Sequence, residues 1–297
     1  MTTITFGIAQ REGTAGDLAD AAATYTSTST DRTGVALVDG MGHDPEIVRL
    51  APMLAETAAR VGAGRGALAG LLSAGLLVSD RGPDGVGVLA VTRPDGGAEV
   101  CWAGDCRAYH WTGTTLHQLT TDHNLAAYLS RAAKDAGTVP VAALADCVGV
   151  TLGLATVATV PFVSVPAGGL LVLTTDGVHD QVPAERVEAL VREHQADPQV
   201  LADALVAAAG PTAEGYRDDA TAVVLADALA AVGPGLSPAL AMHLGRMSAA
   251  VRDLTPEARA RVEAAMEHVL RDGAEAGVCA LLDVLLAEAV RASPPGR

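Results

Sequence analysis

At 297 residues with a formal charge of −15, the chain is long enough for one substantial core plus an appendage, and too acidic to hold a nucleic-acid backbone by charge. Its longest apolar runs, such as "ALAGLLSAGLLV" (67–78), fall short of the ~20 residues of a spanning helix, and "MTTITFGIAQREG" lacks the basic and apolar regions of a signal peptide. No nucleic-acid partner, no membrane and a cytoplasmic address are therefore expected, and the four cysteines, with no CxxC pair, fit neither a disulfide framework nor a structural zinc site.

Short β-leaning runs open the chain: "TITFGIAQ" (3–10), "AAATYTSTS" (21–29) and "GVALVD" (34–39), separated by Gly, Asp and Thr turn signals. A helix follows, with Asp44 as N-cap, Pro45 in the first turn, an apolar face of Ile47, Leu50, Leu54, Ala58 and Val61, and Gly62 as its stop. Residues 66–79 read as a second, nearly all-apolar helix, expected to be buried on most sides. Four strands are then predicted as a meander: "VGVLAVTR" (86–93), "AEVCWAGD" (98–105), "CRAYHW" (106–111) and "TLHQLT" (115–120). Strands are predicted again at 148–152, 159–165 and 169–175, helices at 183–194 and 198–209, and a last strand in "DATAVVLAD" (219–227). Strands and helix pairs in this order imply two sheet layers flanked by helices, an α+β fold, and not the βαβα alternation of a parallel sheet. After the Gly/Pro linker "AVGPGLSP" (231–238) the pattern turns helical, so the chain divides into 1–230 and a helical extension, 231–297. The apolar faces of that extension need a covering surface, either the sandwich or a second copy, so the C-terminal helices are candidates for partner binding or self-association.

Two strands end in carboxylates: Asp39-Gly40 with Asp44 behind, and Asp176-Gly177 with Asp180 behind. Asp is a poor strand former and costly to bury, so a strand-end Asp either meets solvent or coordinates something. One Asp-Gly is ordinarily a turn, with Gly permitting the sharp bend. Together with Asp218, two such ends place three carboxylates at one rim, the oxygen donors that Mg²⁺ or Mn²⁺ prefers.

The ordered blocks "VDGMGH" (38–43), "WAGDCRAYHW" (102–111), "LTTDH" (119–123), "LVLTTDGVHD" (171–180) and "RDDATAVVL" (217–225) resemble the metal-dependent protein serine/threonine phosphatases of the protein phosphatase 2C-like type, in the bacterial form. The resemblance spans about residues 1–226. It implies a four-layer α-β-β-α sandwich of two mainly antiparallel sheets, and a phosphoprotein substrate hydrolysed by a water bridging two divalent cations. It further implies that Asp39 bridges the ions, that the Gly40 carbonyl, Asp176 and Asp218 are ligands, that Asp20 binds metal-held waters, and that Asp122 helps hold a third ion. For Asp122 a helix N-cap is the alternative.

The departures from the pattern bear on activity. Where the family carries a phosphate-gripping Arg before its N-terminal acid, this chain has Ala15 and Gly16; Arg11 is the nearby candidate, out of register. Met41 stands where some relatives carry a His proposed as general acid, while His43 and His179 read as packing residues. A catalytically weak or inactive binding module therefore stands as the alternative to the enzyme, and a hydrolase of small phosphoesters as a third reading.

Overall fold

The computed structural model describes residues 4–94, 96–132, 144 and 147–227, all within one compact unit, Met1–Ala228. The helical extension expected over 231–297 lies outside the described residues.

Ten strands form two five-stranded sheets, antiparallel at every pairing. The first sheet runs β1 (Ile4–Arg11), β10 (Ala220–Asp227), β9 (Leu170–Thr174), β6 (Arg107–Trp111), β7 (Leu116–Gln118). The second runs β2 (Ala21–Ser27), β3 (Arg32–Gly40), β4 (Gly85–Thr92), β5 (Ala98–Ala103), β8 (Phe162–Val165). Alternation along each strand divides the core. Val35, Leu37, Val88, Leu173 and Val223 point between the sheets, whereas Ala222 and Val224 face α5 (Ala184–His194) and α6 (Pro198–Ala208). On the opposite outer face Ala36, Val38 and Leu89 meet α1 (Pro45–Arg65) and α2 (Ala67–Gly75). These are the four α-β-β-α layers that the sequence implies. Among the described residues no helix is long and apolar enough to cross a membrane.

Several elements differ from the sequence reading. The first helix passes Gly62 and ends before Gly66, at φ +99. Gly62 is an internal contact: a Cβ there would come 2.9 Å from Leu89 Cδ2, so its lack of a side chain lets α1 lie against β4. Asp44 stands at the N-cap without a side-chain hydrogen bond. The expected meander is two hairpins in different sheets, β4–β5 and β6–β7. Gly104 makes the crossing, at φ +96 and with Val86 2.2 Å from where its Cβ would stand. The strand expected at 148–152 reduces to one bridge, Val148 to Asn124. Leu152 is instead drawn into the core, its N–H bonded to the Gly85 carbonyl at 2.8 Å. Two short helices complete the described part, α3 (Leu125–Ala132) and α4 (Asp176–His179).

The outer edge of β1 meets α6. Gln199 accepts from the Ile8 N–H at 3.1 Å and donates to the Ile8 carbonyl at 2.9 Å. A Cβ at Gly7 would fall 2.2 Å from the Pro198 carbonyl oxygen.

Candidate metal centre

The strand ends explain why acids gather. Register Ala21↔Val38 carries Asp20 alongside Asp39 at the next position, at the C-terminal end of β3. In the other sheet, Thr174↔Ala222 leads to Thr175 beside Thr221, with Asp176 and Asp218 just beyond on the two chains. Asp105 lies in the β5–β6 crossing at the same end. The sheets are tied there: Thr175 Oγ1 donates to Asp20 Oδ2 at 2.9 Å.

Burial and mutual repulsion raise the pKa of Asp20, Asp39, Asp105 and Asp176. Asp20 is pushed up to about 8, chiefly by burial, with Asp219 and Asp176 adding to it against hydrogen bonds from Thr221 and Thr175. Asp39 is raised well above the usual range by burial, then by the charges of Asp176 and Asp20. Asp176 rises to about 7 through burial and the charges of Asp218 and Asp105, while accepting a hydrogen bond from the Asp39 carboxyl. Asp105 rises to about 6 by burial.

Asp105 is the residue that the sequence reading passed over. Its signal was present, because "AEVCWAGD" is a third apolar strand ending in Asp. The glycines after Asp39 and Asp176 serve close approach instead of a bend. A Cβ on Gly40 would lie 2.5 Å from Ile47 Cγ1, and one on Gly177 would lie 1.9 Å from the Asp219 carbonyl oxygen.

Asp122 lies at the margin of this group. Arg107 grips it with both arms, Nε to Oδ1 at 3.1 Å and Nη2 to Oδ2 at 2.7 Å, and reaches Asp180 at 3.8 Å. Capping of α3 falls to Asn124, whose Oδ1 accepts from Ala127 N at 2.9 Å. His123 accepts from Gly104 N at 3.2 Å through Nδ1 and stacks on Trp102, holding this segment to the sheet crossing. His179 is buried against Thr174 Oγ1 at 2.8 Å, its pKa driven well down by burial and by Arg107, so it stays neutral. His43 Nδ1 lies 3.7 Å from Asp219.

Asp219 fastens the loop that leads into Asp20. Its two oxygens accept from Gly13 N at 2.6 Å and Ala19 N at 2.7 Å. Asp219→Ala should therefore cost about 1.5–3 kcal/mol, the penalty for stripping charged acceptors from buried N–H groups. Urea unfolding measures it against Asp17→Ala, exposed in the same loop, which should stay within about 0.5 kcal/mol of the parent.

Among the described residues no three His, Cys, Asp or Glu side chains form the shell of a finished ion site. Asp39 and Asp176 are instead joined to one another by a hydrogen bond between their carboxyl groups. A buried, all-oxygen donor set with excess negative charge fits a hard divalent cation.

No family model matches the chain, and no curated protein matches it. Solved structures do. A serine/threonine phosphatase from S. agalactiae superposes with a TM-score of 0.63 at 16% identity, over 76% of this chain and 100% of that one. The Mycobacterium tuberculosis serine/threonine phosphatase PstP/Ppp gives 0.59 at 18% identity, over 75% and 98%. The PPM Ser-Thr phosphatase MsPP from Mycobacterium smegmatis, in complex with cacodylate, gives 0.58 at 20% identity, over 75% and 97%. The described part of this chain has the fold of these PPM phosphatases.

Proposed function

We propose that a chain with this fold removes phosphate from phosphoserine and phosphothreonine in proteins, using two divalent cations, Mn²⁺ or Mg²⁺. The observation that carries the reading is the gathering of strand-end carboxylates from both sheets at one end, where burial raises the pKa of Asp20, Asp39 and Asp176. Asp39, Asp176 and Asp218 would hold the ions, with the Gly40 carbonyl and Asp20 completing the donor set. When bound, such ions lower the pKa of water and neutralise charge on the phosphoryl oxygens. The protein's own part is orientation. Thr175 fixes the Asp20 carboxylate, Asp219 fixes the loop before it, and the close approach at Gly177 brings Asp176 beside the Asp218–Asp219 backbone. A third ion at Asp122 would share that carboxylate with Arg107.

A binding module with weak turnover is the second reading, favoured by the arginines. Arg107 is committed to Asp122, and Arg11 donates to the Ala209 carbonyl, on the α6 side of its sheet. With neither free to grip a phosphoryl group at the carboxylate rim, a raised KM for small phosphoesters is expected.

Purified full-length protein should hydrolyse p-nitrophenyl phosphate and a phosphothreonine peptide with Mn²⁺ or Mg²⁺ present, and lose both activities in EDTA. Calorimetric binding of the ions with no turnover of either compound would reject the enzyme and leave the binding module. Turnover of the small ester alone would point to a hydrolase of small phosphoesters.

A further inference from the structure

Strand β1 distributes its side chains to two different places. Gly7 and Ala9 face α6, since a Cβ on Gly7 would strike Pro198 and Gln199, and Ala9 packs in the core beneath α5 and α6. Gln10 faces the other way, its amide reaching the Asp20 carbonyl oxygen at 3.3 Å and Thr221 Oγ1 at 3.4 Å. Arg11 shares the face of Gly7 and Ala9. It is thus turned away from the acid rim, its Nη2 on the Ala209 carbonyl just past α6.

A second guanidinium is held beside it. Arg11 pairs with Ala220 across the sheet, and Arg217 stands three residues before Ala220. Arg217 Nη2 donates to the carbonyl of Glu12, the residue next to Arg11, at 3.2 Å. The Arg217 backbone is locked to the same loop, its carbonyl accepting from Thr14 N at 2.8 Å and its N–H donating to Thr14 Oγ1 at 3.1 Å.

Two features of this pair call for a ligand. Neither guanidinium forms an ion pair among the described residues, in a chain with 35 acids against 20 Lys and Arg. Both Nε atoms are shielded from water without a hydrogen-bond partner, and so is Thr212 Oγ1 in the loop between Ala209 and Arg217. Two adjacent positive charges that the protein leaves unneutralised are costly unless an anion joins them. The charge of Arg217 lowers the Arg11 pKa, after the effect of burial, as expected for such neighbours.

We infer that Arg11 and Arg217, with Thr212, form an anion site for a phosphate-class oxyanion on the α6 side of the sheet, separate from the carboxylate rim. Two half-exposed guanidiniums, one at the end of β1 and one in the loop before β10, suit a tetrahedral dianion, which offers oxygens to both; one carboxylate would serve only one fork well. The ligand is either free phosphate or a phosphoryl group carried on a peptide. The inference does not depend on the phosphatase reading.

The test uses the full chain in EDTA, so that the rim holds no cation that could take up the anion. Inorganic phosphate and, separately, a phosphothreonine peptide are titrated by calorimetry, with sodium chloride at matched ionic strength as the blank. Binding of phosphate is expected, and Arg11→Gln and Arg217→Gln should each weaken it by about tenfold, which is about 1.4 kcal/mol. If the peptide binds tenfold tighter than phosphate, the site serves a carried phosphoryl group; equal or weaker peptide binding identifies the free ion. Thr212→Val gives a third reading should Arg217→Gln fail to fold. No binding of either compound above the chloride blank, or binding unchanged in the folded variants, overturns the site.

Discussion

Asp39→Asn is expected to lower metal-dependent turnover by about 10²-fold or more, the kinetic equivalent of losing several kcal/mol of charge stabilisation in the transition state. Among the rim acids Asp39 is the one whose carboxyl feels Asp176, Asp20 and Asp105 together, so its replacement changes the donor set for whatever the group binds. Asp176→Asn should do less, because in the two-ion arrangement expected from the resemblance Asp39 is shared between the ions whereas Asp176 serves one. The measurement is turnover of p-nitrophenyl phosphate across a Mn²⁺ titration, alongside the unfolding midpoint of each variant. Asp39→Asn should also shift the Mn²⁺ requirement upward while the metal-free protein stays folded. Full activity at ordinary Mn²⁺ would remove Asp39 from the centre, and with it the two-ion reading.

The second large effect concerns stability. Trp111→Ala should cost about 3–5 kcal/mol, as for other fully buried aromatic truncations. Trp111 is 1% exposed at the end of β6, in the core shared with Leu170, Leu190 and Val191. Its Nε1 donates to Gln195 Oε1 at 3.0 Å, and Arg192 lies over its ring at 5.4 Å from the centroid. Truncation would open a cavity between β6 and α5, whereas Trp111→Phe keeps most of the volume and should lose much less. Urea unfolding with an unchanged m-value separates the two variants; equal midpoints would mean that the helix closes over the gap.

The layers were legible in the sequence because burial writes its period directly: two for the strands, 3.6 for α1, α5 and α6. What was not legible was which sheet a strand joins. Strands β5 and β6 follow one another across Gly104-Asp105-Cys106 and read locally like a hairpin, yet the positive φ at Gly104 sends the chain into the other layer. Asp105 was missed for the same reason, since a turn residue draws no attention until the turn proves to be a crossing at the rim. The glycines misled in their own way. Gly40, Gly62 and Gly177 look like bends or stops, but each is small because another segment passes within contact of it, and that proximity is long-range information. Arg11 shows how much one residue of register decides: at an even position of β1 it would face Asp20 with Gln10, and at position 11 it faces α6. Arg107 and Asp219 could have been singled out by no local pattern, because their partners lie 15 and about 200 residues away.

The hold of Gln199 on Ile8 bears on how this molecule keeps company with other chains. A strand at the border of a sheet carries a row of unsatisfied main-chain groups and invites a foreign strand to dock along it, the first step toward polymerisation. On β1 the Ile8 groups point away from β10, and the Gln199 side chain meets both of them in the way a neighbouring strand would. An intruding peptide could pair with the border on either side of Ile8 but could not run through it, and Pro198 crowding Gly7 narrows the approach further. One amide side chain thus divides the longest border strand of its sheet into stretches too short to seed a cross-β stack, so the protein's resistance to self-templating rests on α6 staying in place.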